Sequence, residues 1–181
     1  MKVLMVCTGN LCRSPMAESL MREALSGRDC DGVEVASSGT WAEAGYGAAE
    51  SAVNALRERG IDLSAHRTRP LDPDEVNQAD LVVAMTSVHV REILEVAPEA
   101  AGKLVMIKAI PEIEMRAGAA VADSPGDRLQ ALLEGARPEP RRSLDVDDPI
   151  GLPAGAYDRC VSDLRLGTDA LVAIICGEPQ G

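Results

Sequence analysis

The chain of 181 residues contains no phenylalanine, one tryptophan and two tyrosines, so aromatic side chains make up only 2% of it. A core for a domain of this length must therefore be filled by Ala, Val, Leu, Ile and the adaptable Met. Basic residues are in deficit, 18 Lys and Arg against 29 Asp and Glu, for a net charge of −11. Most of such a surface repels nucleic acid, and any anion site has to be a local positive island. No apolar run reaches the roughly 18 residues of a membrane span, so no membrane partner is expected. The two histidines, His66 and His89, stand apart, and no Cys/His spacing of the zinc type occurs. Neither a metal nor a cofactor is expected. Five cysteines, an odd number, follow no framework spacing, and the N-terminus opens on an apolar run without a signal-type segment. A reducing cytoplasm with no disulfide framework is the expectation, with Cys160 and Cys176 as core or terminal residues rather than redox partners.

What is present is concentrated near the N-terminus. Lys2-Val3-Leu4-Met5-Val6 reads as a buried strand, and the segment from Pro15 to Leu25 reads as a helix. Between them lies Cys7-Thr8-Gly9-Asn10-Leu11-Cys12-Arg13-Ser14. Five residues separating a cysteine from an arginine can curl so that their backbone N–H groups point inward, and the following helix adds the positive end of its dipole. Thr8, Gly9, Asn10, Leu11 and Cys12 are thus expected to cradle an oxyanion. The planar fork of Arg13 matches two oxygens of a phosphate-like group. A helix N-terminus and nearby cations favour the thiolate of a cysteine at the floor of such a cup, which makes Cys7 a candidate nucleophile. Ser14 is expected to cap the helix and to hydrogen-bond the sulfur. Gly9 is expected to permit turns that a side chain forbids, and Asn10 to tolerate left-handed geometry.

Further along, Val33–Ala36 reads as a strand, Ala48–Arg59 as a helix stopped by Gly60, and Asp72–Gln78 as a short helix. Ala79–Met85 has the unbroken apolar character of a parallel strand covered on both faces, Ser87–Val96 is helical, and Lys103–Ile107 is another buried strand. This alternation predicts an α/β fold, a three-layer doubly wound parallel sheet flanked by helices. Ligands of such sheets bind beyond the carboxyl ends of the strands, where Cys7 lies. Residues 109–144 carry four prolines, one plausible helix near Asp127–Glu134 and a basic cluster, Arg137, Arg141 and Arg142, read as a solvated loop. A long helix from about Ala154 to Ile175 follows. His66 is expected to order its loop rather than to catalyse.

The Cys-x5-Arg-Ser loop within the first fifteen residues resembles that of the low-molecular-weight protein tyrosine phosphatase family, and the resemblance extends over about 1–107 and 145–176. It implies four strands in the order 2-1-3-4 and a single phosphatase domain, 1–181, with 109–144 as a partly mobile insertion. A thiolate that displaces an alkoxide or phenoxide needs an acid to protonate the leaving group. The pair Asp148-Pro149 resembles the family's acid-bearing loop, which makes Asp148 the implied general acid/base, with adjacent Asp147 as its competitor. Cys12 matches a position where a family cysteine can pair with the nucleophile under oxidation. Trp41 and Tyr46 either cover core edges or, as the resemblance implies, wall the substrate pocket together with Ile150. The implied activity is hydrolysis of phosphotyrosine on a phosphorylated protein, without implication for oligomeric state. Ile150 and Gly151 stand where many tyrosine-specific members have tyrosines, and Asp-Pro-x-Gly is closer to bacterial relatives that remove phosphate from arginine. Leu11, apolar as in tyrosine-directed members, points the other way. A protein-arginine phosphatase is the alternative. More remote are a thiol-dependent arsenate reductase, whose relay cysteines are missing near Met85–His89, and a non-catalytic anion-binding regulatory module.

Overall fold

Every residue of the central strand except its first is buried, because the apolar run Val3–Cys7 is covered on both faces of a parallel sheet. In this computed structural model, which describes residues 1–28, 30, 32–117, 124–135 and 140–177, β1 (Lys2–Cys7) pairs in parallel with β2 (Glu34–Gly39) on one side and β3 (Leu81–Ala84) on the other. β4 (Leu104–Met106) pairs with β3, which gives the order β2-β1-β3-β4 anticipated above. The chain runs outward from β1 to β2 through α1 (Arg13–Leu25), then returns past β1 to β3 and reaches β4 through α4 (Ser87–Val96). Right-handed crossovers in opposite directions put α1 and α4 on opposite faces. The point where the direction reverses lies at the carboxyl ends of β1 and β3, beside Cys7 and Met85.

Between the strands stand α2 (Glu50–Arg57) and α3 (Pro73–Gln78). Gly60, at φ 79°, turns the chain after α2 and lets the Ile61 N–H return to the Leu56 carbonyl. Asp72 caps α3 through the Asp74 N–H. The final helix, α7 (Ala154–Cys176), packs along α1, and its Gly167 sits so close to the turn at 107–109 that a Cβ there would come within 2.5 Å of Ile107. With no Phe available, methionine fills the interior, and Met5, Met16, Met21, Met85 and Met106 are all buried.

The described part of the segment 109–144 holds more helix than the prolines suggest. Besides α6 (Pro125–Gly135), which matches the expected helix, it contains α5 (Ile110–Ala117), and both pack against α7. Pro111 occupies the first turn of α5, where a missing N–H costs nothing, so the proline does not break that helix. Of the basic cluster, Arg137 lies outside the described residues and Arg141 forms a surface ion pair with Glu112 at 2.9 Å.

The expectation of no disulfide framework, with Cys176 a core or terminal residue, is corrected. Cys30, in the turn after α1, is bonded to Cys176 at the end of α7 across 146 positions. No spacing rule exposes a pair so distant; it forms because α7 packs along α1 and their C-terminal ends meet. Cys7, Cys12 and Cys160 are free and buried. The bond also removes the cysteine content as an argument for a reducing compartment. Closing a loop of this length stabilises a fold by about 2–5 kcal/mol in the chain-entropy account. Cys30→Ser is therefore expected to lower the urea midpoint, and a thiol reductant should lower that of the wild type but not of the variant; superimposable unfolding curves would contradict this.

Candidate active site

Cys7 ends β1 and Arg13 opens α1, so the loop Thr8–Cys12 bridges a buried strand end and a helix start. Its one left-handed residue is Asn10, at φ 52°, while Gly9 is not in that region and a Cβ on it would meet only Leu11 at 3.4 Å. The expected need for glycine at position 9 is thus corrected: the asparagine takes the strained position. Fully buried, Asn10 donates through Nδ2 to Ser14 Oγ and Ser37 Oγ, both at 2.9 Å, and accepts the Arg69 N–H on Oδ1 at 2.9 Å. Its backbone carbonyl lies 2.8 Å from His66 Nε2. A carbonyl only accepts, so that ring nitrogen carries the proton, and His66 ties its own segment to the loop at Asn10.

The close approach that glycine does serve is at Gly39, which no motif marked. A Cβ there would stand 2.5 Å from the Thr8 carbonyl and 2.8 Å from the Asn10 nitrogen. The end of β2 is pressed against the loop, with the Thr40 and Trp41 N–H groups donating to the Cys7 and Thr8 carbonyls at 2.9 Å.

Ser14 lies inside α1 rather than at its cap, a position held by Cys12 without a side-chain bond. The Ser14 hydroxyl is 3.0 Å from Cys7 Sγ and 3.2 Å from the Ser38 carbonyl, while it accepts from Asn10. Its single proton can serve the sulfur or the carbonyl but not both.

Arg13, almost wholly buried, reaches over the loop to the segment 145–149. Nη1 donates to the Val146 carbonyl at 3.2 Å, and Nη2 donates to Asp148 Oδ2 at 2.6 Å and to Thr8 Oγ1 at 3.3 Å. Asp148 is 45% exposed and also accepts the Ile150 N–H, an Asx-type turn that Pro149 stiffens. The segment is pinned to the end of β3: the Val146 N–H donates to the Met85 carbonyl at 2.9 Å and the Ser87 N–H to Asp145 Oδ1 at 2.6 Å. Asp147 has no bond to the loop among the described residues. Neither aspartate caps α7, whose cap position is Pro153.

His89 is the residue the sequence reading passed over. It sits in the first turn of α4, buried, with Nε2 2.8 Å from Thr8 Oγ1 and Nδ1 3.0 Å from Thr86 Oγ1. Its signal was positional, at a helix start following the carboxyl end of a central strand. Burial, reinforced by the charge of Arg13, pushes its pKa down to about 4, so the ring is neutral near pH 7.

The aromatic candidates are peripheral. Trp41 is 75% exposed and donates its indole N–H to Glu92 at 2.8 Å; Tyr46 and Ile150 are exposed, and Leu11 is half-buried. Trp41 adjoins the loop through its backbone bond to Thr8, whereas Tyr46 is tied to Thr68 at 2.9 Å. Cys12 faces α7, with Sγ 3.9 Å from the Tyr157 hydroxyl, and burial pushes its thiol up to about 11. Cys160 is pushed up by burial to about 12. Among the described residues no cluster of His, Cys, Asp or Glu has the make-up of a metal site.

The model of the low molecular weight phosphotyrosine protein phosphatase family matches residues 2–125. The chain belongs to that family. A probable low molecular weight protein-tyrosine-phosphatase of Ralstonia solanacearum is 36% identical over 94% of the chain and 92% of its own length. Among solved structures, the low molecular weight protein tyrosine phosphatase of T. tengcongensis is 34% identical with a TM-score of 0.71, covering 95% of this chain and 97% of that one. An arginine phosphatase from Geobacillus stearothermophilus is 32% identical with a TM-score of 0.70, covering 94% and 89%. The chain is accordingly a phosphatase of the cysteine-dependent low-molecular-weight class, and it shares both fold and family with enzymes named for tyrosine and for arginine.

Two outcomes follow from this geometry. Gly39→Ala is expected to destabilise the protein by about 1–3 kcal/mol, as overpacking does, and to displace the loop; an unaltered urea midpoint would contradict the close approach. For His89, the unfolded ring titrates near 6.5 and the folded one near 4, so the unfolded state binds more protons between those values and stability falls as pH drops through that window. The loss attributable to this one group is about 3 kcal/mol, and His89→Gln should remove it from the pH dependence of the denaturant midpoint.

Proposed function

We propose that the phosphatase hydrolyses phosphotyrosine on proteins through a cysteinyl-phosphate intermediate. The observation that carries the reading is the meeting of Arg13 with Asp148, 2.6 Å apart, over a loop in which Ser14 touches the Cys7 sulfur. The arginine fork now held by the carboxylate is a suitable seat for a phosphoryl dianion, whose entry would turn Asp148 toward the leaving group. The Cys7 thiolate, hydrogen-bonded by Ser14, attacks phosphorus; the P–O bond breaks, and Asp148 as the carboxylic acid gives its proton to the departing phenoxide. Asp148, now the carboxylate, takes a proton from water, which attacks phosphorus and releases the Cys7 thiolate and inorganic phosphate. Thr8 to Cys12 supply backbone N–H groups to the equatorial oxygens. No step requires a metal or cofactor.

Several finer readings go with this. Residues 1–181 are proposed as one phosphatase domain in which 109–144 is an insertion whose helices α5 and α6 pack on α7. Its partner is a phosphorylated protein, and its location the cytoplasm. Among the described residues no helix is long and apolar enough to cross a membrane. Cys12 is proposed to pair with oxidised Cys7; its high pKa makes it a slow attacking thiol near pH 7. Removal of phosphate from arginine is the second reading, favoured by Ile150 and Gly151 after Asp148-Pro149 and by a relative of that activity almost as similar in fold as the tyrosine one.

Cys7→Ser should abolish turnover of an aryl phosphate, and wild-type protein with no turnover would end the reading. Asp148→Asn should slow turnover by about 10²–10⁴-fold, with the loss shrinking as the leaving group becomes more acidic. Phosphotyrosine and phosphoarginine peptides compared on one preparation separate the two readings; a tenfold preference for phosphoarginine reverses the first. After peroxide, thiol should restore activity to the wild type and less of it to Cys12→Ser; equal recovery removes the role of Cys12.

A further inference from the structure

A cavity of about 410 Å³ opens between α1, residues 36–37 of β2 and residues 62–69. It shares no lining residue with Cys7–Arg13 or with Asp148. Its volume falls in the range of small-molecule sites. In a chain of net charge −11, its wall gathers Arg22, Arg67, Arg69 and His66 against Glu18 and Asp62. Two of these guanidiniums are already matched: Arg22 by Glu18 at 2.6 Å, Arg69 by Glu75 at 2.8 Å. Arg67 is not. Among the described residues it donates only to the backbone carbonyls of Ser64 and His66, at 3.2 and 2.7 Å, and it forms no ion pair, the nearby Asp62 of the same wall being bonded to the Ser64 N–H.

The same wall is wired to the sulfur. The Arg69 N–H and the Ser37 hydroxyl both bond the Asn10 side chain, and His66 donates to the Asn10 carbonyl. Asn10 donates to Ser14, and Ser14 touches Cys7. Arg69 also holds the Ser37 carbonyl at 3.0 Å. Every group that keeps Asn10 in its left-handed conformation from this side is thus a lining residue of the cavity or directly bonded to one.

We propose that this cavity is a regulatory site for a small oxyanion, a phosphate- or carboxylate-bearing molecule held by Arg67 with Arg69, and that its occupancy is felt at Cys7 through Asn10 and Ser14. An anion on Arg67 competes with the His66 carbonyl for its fork, and an anion on Arg69 competes with the Ser37 carbonyl. Both act on the one residue that sets the shape of the loop.

The binding half is independent of the phosphatase reading, and the kinetic half rests on it. Calorimetric titration with sodium pyrophosphate and, separately, with citrate is done on Arg13→Ala protein, in which the phosphate clamp of the first site is gone. A remaining site is expected, weakened tenfold or more when Arg67→Ser is added. Binding by pyrophosphate alone assigns a phosphate ligand, and binding by citrate alone a carboxylate. On the wild type, saturating probe should change kcat for an aryl phosphate at least twofold, a change absent in Arg67→Ser, whose unliganded kcat matches the wild type. No binding to Arg13→Ala protein, together with purely competitive inhibition unchanged by Arg67→Ser, overturns the proposal. The kinetic arm stands if Arg13→Ala does not fold, and the calorimetric arm stands if the protein turns over no aryl phosphate.

Discussion

A single buried asparagine holds the structure's most demanding geometry. Asn10 adopts a left-handed conformation with no exposure to solvent, and every hydrogen-bonding group of its side chain is engaged, by Ser14, Ser37 and Arg69. An unpaired amide in such a place would cost on the order of 1–3 kcal/mol, so the surrounding elements are constrained to deliver partners. The end of β2 supplies Ser37 and the close approach of Gly39; the 62–69 segment supplies His66 and Arg69; α1 supplies Ser14. The loop over Cys7 is therefore shaped from behind, by residues of β2, α1 and the 62–69 segment.

On that other side the constraint is electrostatic. Arg13 is buried and must have acceptors, and it finds the Val146 carbonyl, Thr8 and Asp148. The segment 145–149 can reach it because Val146 is hydrogen-bonded to Met85 and Asp145 to Ser87, both at the carboxyl end of β3. The doubly wound topology turns this into a necessity: parallel strands end on one edge, and β1 and β3 are neighbours there. The neutral His89 joins the two constraints, bridging the start of α4 to Thr8, which in turn accepts from Arg13.

The Cys30–Cys176 bond and the helices α5 and α6 belong to a third layer, built around α7. They brace the far ends of α1 and α7, away from the loop, with Arg28 and Arg128 donating to carbonyls at the C-terminus of α7, where cations are favoured by the helix dipole.

By itself the sequence determined the sheet, because runs such as Val3–Cys7 and Leu81–Ala84 can be buried only between two helical layers, and it marked Cys7, Arg13 and Ser14 because their spacing is local. It also pointed to Asp148, through an Asp-Pro pair that resembled a known loop. Tertiary structure alone decided what depends on distant segments meeting: that Asn10 rather than Gly9 carries the left-handed turn, that Gly39 must be small, that His89 lies against Thr8, and that Cys30 bonds Cys176 across 146 positions. Periodicity and motif spacing report on neighbours along the chain, whereas hydrogen-bond satisfaction and close approach are settled only when the strands have been laid side by side.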